Sequence, residues 1–446
     1  MTPHLTRRQV LHGAAIGALS AFLPSNLRAI EDMLRVVRTD RTLILLEFEG
    51  GNDGLNMLVP YSDATYLAKR PTYLKLDPAS TDWRSKVIPF STWGTAGLAG
   101  TLAGFGVHAG LDGTAALNGA DGLKAAWQGG NLAFVHGVGY ANPNGSHFRG
   151  IDIWNSGADD NQPVTNTGWL GRMLKNETVV GSQANTAAVI FKRENNNPAR
   201  ISGVSTISMS KPADFLGRST SDKIPLPTSA QLTAAAGKPA VLHLLSTQQA
   251  ASAAHDTFQA AVGTPPTFTT TFPTNDLGNQ AKYVAQCIAG GVPCAFYKMS
   301  IGGFDNHTNQ LNKHADLMAQ VAAALAALRL ALIEKGKWNN VLLMSYSEFG
   351  RRIEENSSAG TDHGTAAPHF FMGGKVIGGV YGAQPALATP DSRGNLVANT
   401  DFRRLYATCG QWLGLSDANI ASSLDPFSTV PVVPSIYAPI PCVTLT

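Results

Sequence analysis

The chain has 446 residues, 44% hydrophobic and 15% charged, and its 34 basic and 31 acidic residues give a net charge of +3. This composition belongs to a globular protein with a large core and excludes disorder of the whole chain. No basic run extends beyond the pairs Arg7-Arg8, Arg351-Arg352 and Arg403-Arg404, which excludes a nucleic-acid footprint.

Near the start, Thr6-Arg7-Arg8-Gln9-Val10-Leu11 precedes a contiguous Gly/Ala-rich apolar stretch ending at Leu23, with Pro24 and the small residue Ala29 beyond it. The stretch is too short to span a bilayer stably, so no stable transmembrane anchor is expected. A paired arginine before a modest apolar region resembles a twin-arginine export signal, expected over residues 1–29. That signal implies a periplasmic or secreted protein and makes the twin-arginine export machinery a partner. The four cysteines, Cys287, Cys294, Cys409 and Cys442, suit an oxidising compartment. Three pairings are open, with Cys287–Cys294 the first expectation, and the spacing lacks the repeat of a structural zinc site.

Thr42 to Glu49 is a short apolar run closed by Gly50-Gly51, which predicts a buried first strand. Gly122 to Gly129 predicts a short helix, Asn131 to Val138 a second strand, Gly168 to Leu174 a helix and Ala187 to Phe191 a strand. Between about Glu194 and Leu277 the chain turns rich in Ser, Thr, Ala and Pro. Helix starts at Pro227-Thr228-Ser229 and Pro239-Ala240-Val241 mark this stretch as an inserted helical segment. The last third predicts a strand from Ala295 to Ile301, a helix from Asn312 to Lys335 and a strand from Asn340 to Tyr346. Leu317, Val321, Leu325, Leu328 and Leu332 form one apolar stripe on that helix. The alternation predicts a mostly parallel sheet with helices on both faces.

Polar clusters follow the predicted strands: Asn52-Asp53-Gly54, Asn144-Gly145-Ser146-His147, Asp305-Asn306-His307 and Ser347-Glu348-Phe349-Gly350-Arg351, with Asp362-His363-Gly364 shortly after. Each alone suits a turn or cap. Together they belong at one edge of a parallel sheet, where strand ends share a crevice. Asp53, Asp305 and Glu348 would supply oxygen ligands there, and His307 and His363 nitrogen ligands, a shell suited to zinc, manganese or a mixed divalent pair.

The segments GGNDGLN, NGSHF, GGFDNHTNQ, SEFGRR and DHGTAAPHFFMGG, with the twin-arginine start, resemble the exported bacterial proteins of domain-of-unknown-function family 1501, within the alkaline phosphatase superfamily. The resemblance spans residues from about 42 to 382 in the same order. It implies an alkaline-phosphatase-like α/β fold, one domain over residues 40–446 with an insertion near 194–277. Carried over by position, Asp53, Asp305, Glu348 and His363 are metal ligands and Ser146 is the nucleophile. Two departures stand out: His307 lies two residues beyond Asp305, where the superfamily usually places its histidine four beyond, and Glu348-Phe349 replaces the usual Asp-His pair. His147 and His369 are the candidates to make up the missing imidazole, although His369 and His136 also suit packed structural positions.

The implied chemistry is hydrolysis at phosphorus or sulfur, with a small anionic ester as substrate. The implied cofactor is a divalent metal, zinc first, with manganese, magnesium or calcium as alternatives. Ser146 would attack from the start of a helix, and Arg149 or Arg351 would fork onto the anion. Ser146-His147-Phe148-Arg149 lacks the Cys/Ser-x-Pro-x-Arg spacing of formylglycine sulfatases. The competing expectation is a non-catalytic envelope or surface binding protein that keeps the fold. A serine hydrolase of carboxylic esters is disfavoured, because no GxSxG elbow opens a helix.

Overall fold

A computed structural model of the chain describes residues 40–94, 102–113, 122–141, 143, 145–158, 166–175, 188–192, 197–201, 206–216, 227–425 and 437–445. The expected export signal, residues 1–29, lies outside the described residues, as does part of the expected insertion near 194–277.

The strands are β1 (Thr42–Glu49), β2 (Leu58–Val59), β3 (Val87–Pro89), β4 (Gly106–His108), β5 (Leu132–Gly139), β6 (Ala188–Ile190), β7 (Thr206–Ser208), β8 (Phe296–Gly302), β9 (Val341–Tyr346), β10 (Ala367–Met372), β11 (Gly379–Tyr381) and β12 (Thr400–Asp401). Nine of them, among the described residues, form one sheet in the order β11-β5-β10-β9-β1-β8-β6-β7, with β12 also on β5. Strand β10 runs antiparallel to both its neighbours, β5 and β9. The other pairings in this sheet are parallel. The expected mixed α/β architecture with a mostly parallel sheet is therefore the one observed. A separate small sheet joins β2, β4 and β3.

Strand β1 shows why the sheet needs cover on both faces. Its alternate residues Ile44, Leu46 and Phe48 enter one apolar cluster, shared with Met318, Val321 and Leu325 of the helix Gln310–Glu334. Leu43 and Leu45 enter the other, with Ile153, Trp154, Leu405 and Tyr406 of the helices His147–Ser156 and Arg403–Trp412. A near-continuous apolar run is what a strand buried on both sides requires. The helix Gln310–Glu334 is long and apolar enough to cross a membrane by length and composition, yet it is largely buried against this sheet. Its expected stripe is packing: Val321, Leu325, Leu328 and Leu332 are buried, and Leu317 packs at the margin.

Within the stretch expected as an insertion, both expected helix starts are present. Thr228 caps the helix Ser229–Ala234 through a reciprocal bond with Gln231, and Pro239 opens the helix Pro239–Val262. The cysteines depart from expectation: all four are free and buried, so Cys287 and Cys294 are not bonded to each other. Cys294 instead donates from Sγ to the Phe296 carbonyl at 3.0 Å.

Candidate metal centre

The carboxyl ends of β1, β8 and β9 lie side by side, and the chain leaving each one turns at once into a polar loop. After β1, Gly50 adopts φ +114°, and a Cβ there would stand 2.4 Å from the Asp305 amide nitrogen. Glycine at this position therefore lets the loop after β8 close over the end of β1. The Gly50 N–H donates to Glu348 Oε1 at 2.7 Å, which ties the loop after β9 to the same place. The long connection from β9 to antiparallel β10 doubles back over this edge and delivers Arg351, Asp362 and His363. Ser146 caps the helix His147–Ser156 and presents His147 from the remaining side.

Three side chains converge here: one donor atom from each of His147, Asp305 and His363 lies within 4.8 Å of the others. His363 Nε2 is 3.2 Å and His147 Nε2 3.5 Å from the Asp305 carboxylate. His307 joins from the rim, its Nε2 3.0 Å from both His363 Nε2 and Asp305 Oδ1. The second ring nitrogens decide what this cluster is suited to. His147 Nδ1 is 2.8 Å from Glu348 Oε1, and His363 Nδ1 is 2.8 Å from the Gly145 carbonyl. A carbonyl only accepts, so it holds the proton of His363 on Nδ1 and leaves the Nε2 lone pair facing Asp305. With the Glu348 carboxylate playing the same part for His147, the cluster is rich in acceptors, which is the donor set a divalent cation requires. The residues present therefore fit a metal.

Electrostatics distinguish the members of the cluster. Partial burial pushes the Asp305 carboxyl up, but the hydrogen bond from Arg351 and the Arg351 charge outweigh it and hold it below the usual carboxylate range. The Glu348 hydrogen bond raises His147 above the ordinary imidazole value, whereas desolvation lowers His363. The Phe349 ring backs both imidazoles, with centroids 4.9 Å from His147 and 4.5 Å from His363.

The expected site residues divide into those the fold brings together and those it assigns elsewhere. Asp305, His307 and His363 meet. Asp53 stands apart: it is buried and bidentate with Arg70, at 2.6 and 2.9 Å, and also accepts from Gln310. Burial pushes its carboxyl up, and the Arg70 charge brings it below the usual range. Glu348, expected as a ligand, is buried behind the cluster, where Oε1 receives Gly50 N–H and faces His147. Arg351, expected to meet an anion, is buried and spends its guanidinium on the carbonyls of Gly50, Gly51, Phe304 and Thr361 and on Asp305. Ser146 is exposed, and its Oγ accepts from the Arg149 amide at 3.4 Å, the bond of a helix cap. Arg149, half-buried, occupies the first turn of that helix.

Of the two candidates for the imidazole missing beside Glu348, His147 is the one that stands next to Glu348 and Asp305, and its sequence signal was its place directly after a Gly-Ser helix start. His369 lies elsewhere, fully buried with its ring 5.2 Å from Trp154. His136 is likewise buried in β5.

Fold and site together define a mixed α/β protein with a candidate metal centre at the carboxyl edge of its sheet. The chain belongs to the family described as Protein of unknown function (DUF1501), whose model matches residues 128–423, a span that holds all the converging residues. No curated protein sequence matches the chain. Among solved structures, Ps i-CgsB in complex with k-i-k-neocarrahexaose is similar at 10% identity and TM-score 0.35, with 84% of this chain and 72% of that one covered. The PsFucS1 sulfatase from Pseudoalteromonas sp. is similar at 12% identity and TM-score 0.34, with 88% and 70% covered. The phosphonate monoester hydrolase SpPMH from Silicibacter pomeroyi is similar at 11% identity and TM-score 0.32, with 72% of each chain covered. Likeness at this level carries nothing about the activity of this chain.

Proposed function

We propose that the chain is an exported, metal-dependent hydrolase of phosphate or sulfate esters, with His147, Asp305 and His363 as ligands, His307 beside them and Ser146 as nucleophile. The observation that carries this reading is the mutual approach of three donor atoms within 4.8 Å while the outer nitrogens of both histidines are engaged elsewhere. A bound divalent cation would supply Lewis acidity, polarising the ester oxygen and easing departure of the leaving group.

The remaining work falls to the chain itself. Ser146 lies between Gly145, whose carbonyl orients His363, and His147, so any movement of the serine is tied to two members of the centre. It also stands at a helix N-terminus, where backbone N–H groups and the helix dipole favour an anionic group. Arg149 in the first turn is the guanidinium assigned to the ester anion. Arg351 is assigned to pinning the Gly50 and Asp305 loops. Asp53, locked to Arg70, is assigned to holding the loop after β1, which makes a single-metal centre the preferred version of this reading.

The second reading is a binding protein that takes up metal without turnover. It is favoured by one observation: the Ser146 hydroxyl already serves as a helix cap.

The deciding experiment is elemental analysis of the folded chain alongside assays on aryl phosphate monoesters, aryl phosphate diesters and aryl sulfates. Near-stoichiometric metal with turnover that disappears in Ser146→Ala supports the hydrolase. Stoichiometric metal with no turnover of any of the three supports the binding protein. A chain that takes up no zinc, manganese, magnesium or calcium overturns both.

A further inference from the structure

The helix His147–Ser156 is anchored along one side. Gly150, Ile153 and Trp154 are buried, and the Trp154 indole N–H donates to the Glu348 carbonyl at 3.1 Å. Its first turn is therefore held in place relative to the centre. In that turn stands Phe148, 87% exposed, the most exposed large apolar side chain among the described residues. The next, Leu244 at 69%, belongs to the inserted helix Pro239–Val262. Isolated exposed apolar residues are ordinary, so exposure alone says little. Position is what separates this one. Phe148 directly follows His147, whose Nε2 faces Asp305, and lies two residues beyond Ser146. The second aromatic ring of the neighbourhood, Phe349, is buried against His147 and His363, so it supports the ligands and offers no face to a substrate.

We infer that Phe148 is a specificity-determining residue, which packs its ring against a flat apolar face, an aryl or sugar ring, on the organic part of an anionic ester substrate. The inference rests on the reading of the centre as a site for anionic esters. An anion held beside Ser146 would carry its substituent outward from the centre, and an exposed aromatic side chain in the same helical turn, two residues on, would give the substituent a surface to stack on. Aromatic faces favour offset or edge contacts with other rings and exclude water from them. A few placed polar groups at the anion with an apolar wall for the remainder is also the usual division of labour in small-molecule sites.

Two non-hydrolysable probes test this without requiring turnover: phenylphosphonate and methylphosphonate, titrated calorimetrically into the zinc-equilibrated chain. The wild type is expected to bind phenylphosphonate at least tenfold more tightly than methylphosphonate. Phe148→Ala is expected to abolish the preference, Phe148→Tyr to retain it, and zinc content to stay unchanged in both. A wild type with no preference, no binding of either probe, or a preference that survives in Phe148→Ala overturns the inference. Assays on phenyl and methyl phosphate are read separately. Turnover without a Phe148-dependent aryl preference removes this inference and leaves the hydrolase reading intact. A Phe148-dependent preference without turnover does the reverse.

Discussion

His147 Nδ1 lies 2.8 Å from Glu348 Oε1, a contact between residues 201 positions apart that sets a residue expected as a ligand behind the His147 ring. If Glu348 acts by holding the His147 ring, an isosteric acceptor preserves part of that role and a methyl group none of it. Glu348→Ala is expected to weaken metal binding by about 10–100-fold. Glu348→Gln, which keeps an amide oxygen for His147 and Gly50, is expected to retain most of it. Competition with a calibrated chelator measures both. Equal losses in the two variants would return Glu348 to the ligand shell.

Asp53 and Asp305, both expected as ligands, should separate in the same assay. Asp305→Asn is expected to lower metal content sharply, because its carboxylate faces both His147 and His363. Asp53→Ala leaves the Arg70 guanidinium buried without its bidentate partner. That variant is expected to lose about 3–5 kcal/mol of stability by denaturant titration, with loss of metal only in proportion to unfolding. Loss of metal from a fully folded Asp53→Ala chain would contradict the single-metal version.

Ser146 has two roles that mutation separates. Its removal as a helix cap costs about 1 kcal/mol. Its removal as nucleophile abolishes turnover by about three orders of magnitude or more. Ser146→Ala is therefore expected to fold, keep its metal and fail to hydrolyse any ester the wild type accepts. Ser146→Asn keeps a capping side chain, so stability recovers while activity does not.

Four histidines outside the cluster, His108, His136, His314 and His369, are buried, and desolvation lowers them to about 3, 4, 4 and 3 respectively. Each is neutral in the folded chain and takes up a proton on unfolding below its ordinary value of about 6.5. The sign is that of a depressed folded pKa. Stability is fully present above pH 6.5 or so and falls as the pH drops toward 4, with a limiting slope of about 1.4 kcal/mol per pH unit per histidine. Denaturant midpoints measured from pH 7.5 to 5 should decline accordingly. A flat profile in that range would show that these rings are solvated or protonated in the native state.

The cysteines offer a chemical check on the packing. Burial pushes Cys294 up to about 12 and raises Cys287, Cys409 and Cys442 as well, so little thiolate is present at neutral pH. All four are expected to resist a water-soluble thiol reagent in the native chain and to react after denaturation. Recovery of only two thiols on denaturation would indicate that one pair is bonded.

Several of the elements were legible in the chain because their causes are local. The apolar run from Thr42 to Glu49 ends where two glycines permit a turn, and the Leu and Val spacing from Leu317 to Leu332 repeats with the helix period. Both patterns specify an element and the face it buries whatever surrounds it. The polar clusters after β1, β8 and β9 were legible as strand ends for the same reason. Which of their atoms meet was not. Asp53 and Asp305 look alike in sequence, each at the end of a buried strand, yet Asp53 is locked to Arg70 in the interior, whereas Asp305 meets Arg351 and three imidazoles at the sheet edge. Arg351 looks suited to an anion until the carbonyls of Gly50, Gly51, Phe304 and Thr361 surround it. The reversal of β10, which returns His363 to the same edge, likewise has no marker in the local pattern. Local periodicity determines what an element is. The pairing of side chains hundreds of residues apart depends on strand order, loop closure and rotamer, and only the assembled tertiary structure decides it.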